Sequence, residues 1–155
     1  MFMNTVQTAI NHAENRCKAQ GAKLTNKRKQ VLSGLLQSDK AKSAYELVDY
    51  CKSEFGETLP PMSVYRILDF LKDQRLVHKL NQVNKYIACS HISCDHDHGV
   101  PQFLICSNCQ SVKEITVNKS TINNLKRNVE EAGFQLASPQ LEINCLCCNC
   151  KDQAA

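Results

Sequence analysis

No apolar run in this sequence is long enough to cross a membrane, and the first twenty residues, MFMNTVQTAINHAENRCKAQ, lack the apolar core of a secretion signal. The expected location is therefore the cytoplasm, with no membrane partner. Neither an internal repeat nor a low-complexity tract is found. H-E-x-x-H is absent, as is the zinc deaminase pattern, so a zinc hydrolase is not expected and the chain is read as a non-enzyme. Large apolar side chains are scarce: there is no tryptophan, and aromatics make up 6% of the chain.

What remains is enough to fold. With 155 residues and 43% hydrophobic content, the chain can bury one moderate core or two small ones. The ten cysteines are the unusual abundance. In a reducing compartment, clustered thiols are more often metal ligands or redox groups than disulfides.

Charge is unevenly spread. Residues 1–80 carry 13 Lys/Arg against 8 Asp/Glu, a net +5, while residues 81–155 carry 6 against 7, a net −1. The basic excess and the metal-ligand residue types therefore lie in different halves, and the basic half suits a nucleic-acid partner.

Apolar spacing predicts helices over Asn4–Ala19, Asn26–Gln37, Ala44–Glu54 and Met62–Gln74. Two short strand-like runs follow, Leu76–Leu80 and Lys85–Cys89, around a polar turn. Helices followed by a hairpin give the order of a winged helix-turn-helix, assigned to residues 1–89. Residues 90–99 are a Cys/His/Asp-rich connector or hinge. Residues 100–155 read as a small α/β unit, with strands over Phe103–Cys106 and Ser111–Thr116, a helix over Ser120–Ala132 and extended chain over Phe134–Asn144. The fold class expected is α+β.

The segment PPMSVYRILDFLKDQ carries the most specific signal of the first half. Pro60 and Pro61 suit a helix start, because proline presets the backbone angle and lacks an N–H that the first turn cannot use. At about 100° per residue, Ile67, Leu68 and Leu71 fall on the side of Val64, and Arg66 points away from it. Such an arginine can read guanine in the major groove, or be one more solvated arginine. Tyr65 sits at the side, able to reach a phosphate or a thymine methyl. Lys23, Lys27, Arg28 and Lys29 cluster where the second helix begins and could grip the DNA backbone.

In the second half Cys106 and Cys109 form a C-x-x-C, and the run Cys145, Cys147, Cys148, Cys150 contains two overlapping ones. Two knuckles supply the four thiolates that a closed structural zinc prefers. Either register of the later run satisfies the spacing. A more diffuse set comprises His78, Cys89, His91, Cys94, His96, His98 and Glu114, a mixture of nitrogen, sulfur and oxygen donors that suits Zn²⁺. A metal held by His78, Cys89, His98 and Glu114 would join the two halves, and His96 could stand in for His98.

Through LTNKR (24–28), SAYEL (43–47), PPMSVYRILDFL (60–71), LVHK (76–79), Cys89, ICSNCQSVKE (105–114) and the final C-x-x-C, the sequence resembles the ferric uptake regulator family, and within it the zinc regulators. The resemblance implies a winged helix joined to a C-terminal dimerisation domain. It implies that Tyr45 and Arg66 contact bases and that Tyr65 lies on the same recognition helix. Cys106, Cys109, Cys147 and Cys150 would form a structural zinc site, and His78, Cys89, His98 and Glu114 a sensory one, giving two zinc ions per subunit. The implied function is repression of zinc-uptake genes by a zinc-loaded homodimer on a double-stranded operator. The alternatives are a regulator answering to iron, manganese or peroxide, a thiol redox protein using Cys94, Cys145 or Cys148, and a zinc-buffering module that binds no DNA.

Overall fold

In a computed structural model, residues 2–94 and 99–153 are described. The chain forms two compact units, Met1–Asp95 and His96–Ala155.

The first unit opens with α1 (Phe2–Ala19), which buries Ile10, Ala13 and Cys17 along one face. Next come α2 (Asn26–Leu36), α3 (Ala44–Phe55) and α4 (Pro61–Asp73). Each start has a local cause. The Thr25 hydroxyl accepts the Arg28 N–H at 3.4 Å. At α3 the Ser43 hydroxyl accepts the Glu46 N–H at 3.2 Å while the Glu46 carboxylate accepts the Ser43 N–H at 2.6 Å, a reciprocal capping box. Pro60 caps α4 and Pro61 occupies its first turn. Gly56 ends α3 at φ +66°, a left-handed backbone that glycine adopts without strain.

Val31, Leu32, Leu35, Leu47, Val64, Leu68 and Leu71 fill the core between α2, α3 and α4. Gly34 lets α2 approach α3 closely: a Cβ there would stand 2.8 Å from the Tyr50 ring and 2.9 Å from a Leu47 methyl. Cys17 and Cys51 are buried in this core as small hydrophobes, and burial pushes both thiols above their ordinary range. The antiparallel hairpin of β1 (Val77–Leu80) and β2 (Lys85–Ala88) pairs His78 with Ile87. Tyr86 exchanges both backbone hydrogen bonds with Lys42, which fastens this wing to the loop before α3. The unit runs past Cys89, the end expected from the sequence, because Ile92 is buried in its core.

The second unit is a three-stranded sheet of order β4-β3-β5, from β3 (Pro101–Cys106), β4 (Val112–Thr116) and β5 (Leu141–Cys145). β4 runs antiparallel to β3, and β5 parallel. The connection to β5 carries α5 (Lys119–Glu131), started by Asn118, whose side chain accepts the Thr121 N–H at 3.0 Å. The parallel register has a specific fastener. Gln102 is fully buried in β3; its amide donates to the Pro139 carbonyl at 3.1 Å and accepts the Leu141 N–H at 2.7 Å. Beyond β5 the short α6 (Cys148–Gln153) follows. No described helix is long and apolar enough to cross a membrane.

Candidate metal centre and nucleic-acid face

Because β3 and β5 run parallel with Cys106 opposite Cys145, both strands end at the same edge of the sheet. At the end of β3 a tight turn, in which the Gln110 N–H donates to the Cys106 carbonyl at 3.0 Å, brings Cys109 back beside Cys106. Past the end of β5 the chain turns through Cys147 into α6, which presents Cys150. The sulfurs of Cys106, Cys109, Cys147 and Cys150 thus lie within 4.8 Å of one another. The Cys109 and Cys147 sulfurs are 3.7 Å apart. A tetrahedron with metal–sulfur bonds of ~2.3 Å has sulfur–sulfur edges of about 3.8 Å, so this spacing fits a tetrathiolate zinc.

The protonation chemistry points the same way. The backbone N–H of Cys147 donates to the Cys106 sulfur at 3.4 Å. With a second contribution from the Cys109 N–H, it lowers the Cys106 thiol to about 6. The Ser111 hydroxyl, 3.1 Å from the Cys109 sulfur, lowers that thiol too. Cys150 moves oppositely. A hydrogen bond from Asn108 favours its thiolate, but the Cys147 sulfur, burial and the sulfurs of Cys109 and Cys106 outweigh it and push it up to about 11. Crowded sulfurs that cannot all ionise alone are what a divalent cation accommodates. The alternative register is not assembled: the Cys145 carbonyl accepts the Ser107 N–H at 2.9 Å at the end of β5, and Cys148 is exposed on α6.

Of the second set, the first unit brings His78 and Cys89 together, with donor atoms within 4.8 Å of each other. His78 lies on β1; Cys89 follows β2, its N–H donating to the Leu76 carbonyl at 2.9 Å. Glu114 is on β4, opposite Phe103. His96 and His98 lie outside the described residues.

On α4, Val64, Leu68 and Leu71 are buried and Arg66 is exposed, as the helical spacing predicts. Tyr65 is half-buried against the core, whereas Tyr45 near the start of α3 is 62% exposed. Lys27 is exposed. Arg28 is half-buried: its guanidinium lies 3.6 Å from the centre of the Phe70 ring and donates to the Lys23 carbonyl at 2.6 Å. The side chain expected at the DNA backbone thus also stacks on an α4 aromatic.

The family model of the ferric uptake regulators matches residues 19–144, spanning both units. The chain belongs to the ferric uptake regulator family. Within this family, it is 33% identical to the zinc uptake regulation protein of Escherichia coli (strain K12), over the whole of this chain and 88% of the relative. It is similar to a solved zinc uptake regulator complexed with zinc and DNA, with a TM-score of 0.80 and 30% identity over 97% of this chain and 99% of that one. Holo XcZur superposes with a TM-score of 0.73 at 34% identity, over 92% of this chain and 96% of that one.

Sequence reasoning overlooked one residue in this family member. Arg16 lies in the last turn of α1 and reaches backbone carbonyls 59 to 78 positions away. A lone arginine near the end of an amphipathic helix carries no sequence signal for such a contact.

Proposed function

We infer that this protein is a zinc-responsive transcription repressor, which binds double-stranded operator DNA as a homodimer when zinc-loaded and controls zinc-uptake genes. The carrying observation is a winged helix with Arg66 exposed on its recognition helix, in a chain related along its length to zinc uptake regulators, one of them solved with zinc and DNA. It acts by occupying DNA rather than by catalysis, and its place of action is the cytoplasm.

Two zinc sites per subunit are proposed. Cys106, Cys109, Cys147 and Cys150 would hold the structural ion. His78, Cys89, Glu114 and His98 would hold the sensory one, a donor set mixed enough to suit zinc and, through its cysteine, poorly suited to an oxygen-preferring metal. When bound, zinc supplies the positive charge that lets closely spaced thiolates and a carboxylate be held together.

The chain's own residues supply the rest. Arg66 and Tyr45 read bases, Tyr65 on the same recognition helix reaches a phosphate or a thymine methyl, and Lys27 and Arg28 meet phosphate. Support for the dimer comes from the second unit. No residue of α5 is buried, although Ile122, Leu125 and Val129 form a half-buried apolar stripe. Phe134 is 74% and Ile143 44% exposed, and β5 is an edge strand. An apolar helix face and an open strand edge suit pairing with a second copy.

The test is the mobility of a duplex of about 30 base pairs, roughly three helical turns, selected from random DNA by the zinc-loaded protein. Free zinc is buffered, Fe²⁺ and Mn²⁺ serve as controls, and Cys89→Ser is run in parallel. The reading expects retardation specific to zinc and lost in Cys89→Ser. Selection of no duplex at all would leave a zinc-buffering module.

A further inference from the structure

The guanidinium of Arg16 collects carbonyls from two other parts of its own unit. Its Nη2 donates to the carbonyls of His91, Ile92 and Cys94, each at 3.3 Å, and its Nη1 to the Arg75 carbonyl at 3.4 Å. The first three belong to one turn, closed by the Cys94 N–H donating to the His91 carbonyl at 3.1 Å. Arg75 sits just past α4 at φ +58°, where the chain leaves the recognition helix for the wing. Converging carbonyls leave partial negative charge, and arginine, all donor and always charged, is the side chain that can satisfy several from one point. Ile92, in the middle of the turn, is buried in the core, so the turn is held from both sides.

The same turn touches Cys89. The His91 N–H donates to the Cys89 sulfur at 3.4 Å. One cation on α1 therefore links the end of the recognition helix to the turn that aims a candidate metal ligand.

We propose that Arg16 is a positioning residue of the sensory site: by holding the turn over residues 90–94 it fixes the Cys89 sulfur, and it ties that sulfur to the end of α4. The proposal rests on the zinc-repressor reading. It makes metal binding at Cys89 depend on a residue that contacts neither metal nor DNA.

The experiment uses the full-length protein, Arg16→Gln and Arg16→Lys. Binding to the duplex selected by the zinc-loaded wild type is followed by fluorescence anisotropy across buffered free zinc, beside thermal unfolding and amide exchange. Arg16→Gln should bind the duplex at saturating zinc within about twofold of wild type, yet need about fivefold or more free zinc to reach half-binding, the scale of lost charge-assisted hydrogen bonds. Its His91 and Cys94 amides should exchange faster, and Arg16→Lys should recover part of both effects. An unmoved zinc midpoint overturns the proposal even if the turn loosens, and so does a uniform loss of affinity at every zinc level accompanied by a lower melting temperature. If the wild type selects no duplex, or binds without zinc, the repressor reading fails and the proposal with it; the exchange data still show whether Arg16 holds the turn.

Discussion

The sulfur of Cys109 lies 3.7 Å from that of Cys147, 38 positions later in the chain. Parallel pairing of β3 with β5 makes this meeting possible, since it brings the ends of two distant strands to one edge. Cys109→Ser should therefore release the structural zinc and unfold the second unit, which also takes Glu114 and His98 from the proposed sensory site. The loss is on the order of 10 kcal/mol of metal-coupled folding energy. Metal analysis and circular dichroism check it: zinc content should fall by both equivalents while the helices of the first unit keep their ellipticity.

Gln102 is an internal strut whose amide satisfies two backbone groups where β5 begins. Gln102→Leu leaves the Pro139 carbonyl and the Leu141 N–H without those partners, a cost of about 1–3 kcal/mol. Because the strut sets the register that delivers Cys147, the variant should also lose its structural zinc faster to a chelator. Release kinetics followed with a chromogenic chelator test this; an unchanged rate would mean that the register is set elsewhere.

Three basic residues should separate by what they touch. Arg66→Ala should cost about 1–3 kcal/mol on the selected duplex and little on random DNA. Lys27→Ala should weaken both equally and flatten the salt dependence. Arg28→Ala should also lower the melting temperature, because its guanidinium packs on Phe70. Titrations at two salt concentrations with thermal scans distinguish the three; equal losses of Arg66→Ala on both DNAs would remove it from base reading.

The capping box of α3 gives a pH signature. The Ser43 backbone N–H, then Lys85, hold the Glu46 carboxyl below its ordinary value of 4.5. A depressed carboxylate adds stability that is fully present above pH 4.5 and disappears as pH falls through the lowered folded value. Half the side chain is solvated, so the effect is modest, about 0.5 kcal/mol. Urea midpoints of wild type and Glu46→Gln should differ at neutral pH and converge below that range.

Local signals account for most of what the sequence foretold. Pro60 and Pro61, the Ser43–Glu46 pair, and the Val64–Leu68–Leu71 stripe act within a few residues, and the helices start and bury as they dictate. Both Cys registers were open because spacing is the same for 145/148 and 147/150, and only the end of β5 decides which pair swings toward Cys106. Extended chain was expected throughout Phe134–Asn144, yet the strand begins at Leu141, where Gln102 takes up the first N–H. α6 went unread because a cysteine-rich run has no helical periodicity. The Arg16 contacts were invisible for a related reason: their acceptors are carbonyls, which every residue has.

The first unit has its last core residue, Ile92, before any of Cys106, Cys109, Cys147 and Cys150 occurs in the chain. Order of synthesis thus separates the two halves. The DNA-binding half, with its own core, can fold on the ribosome without regard to metal supply, whereas on the proposed zinc assignment the other half would wait for Cys150 to emerge and for zinc to be at hand. On that assignment a cell short of zinc would accumulate chains whose reading head is finished and whose pairing half is not, and scarcity would be registered at the birth of the protein as well as in its working life.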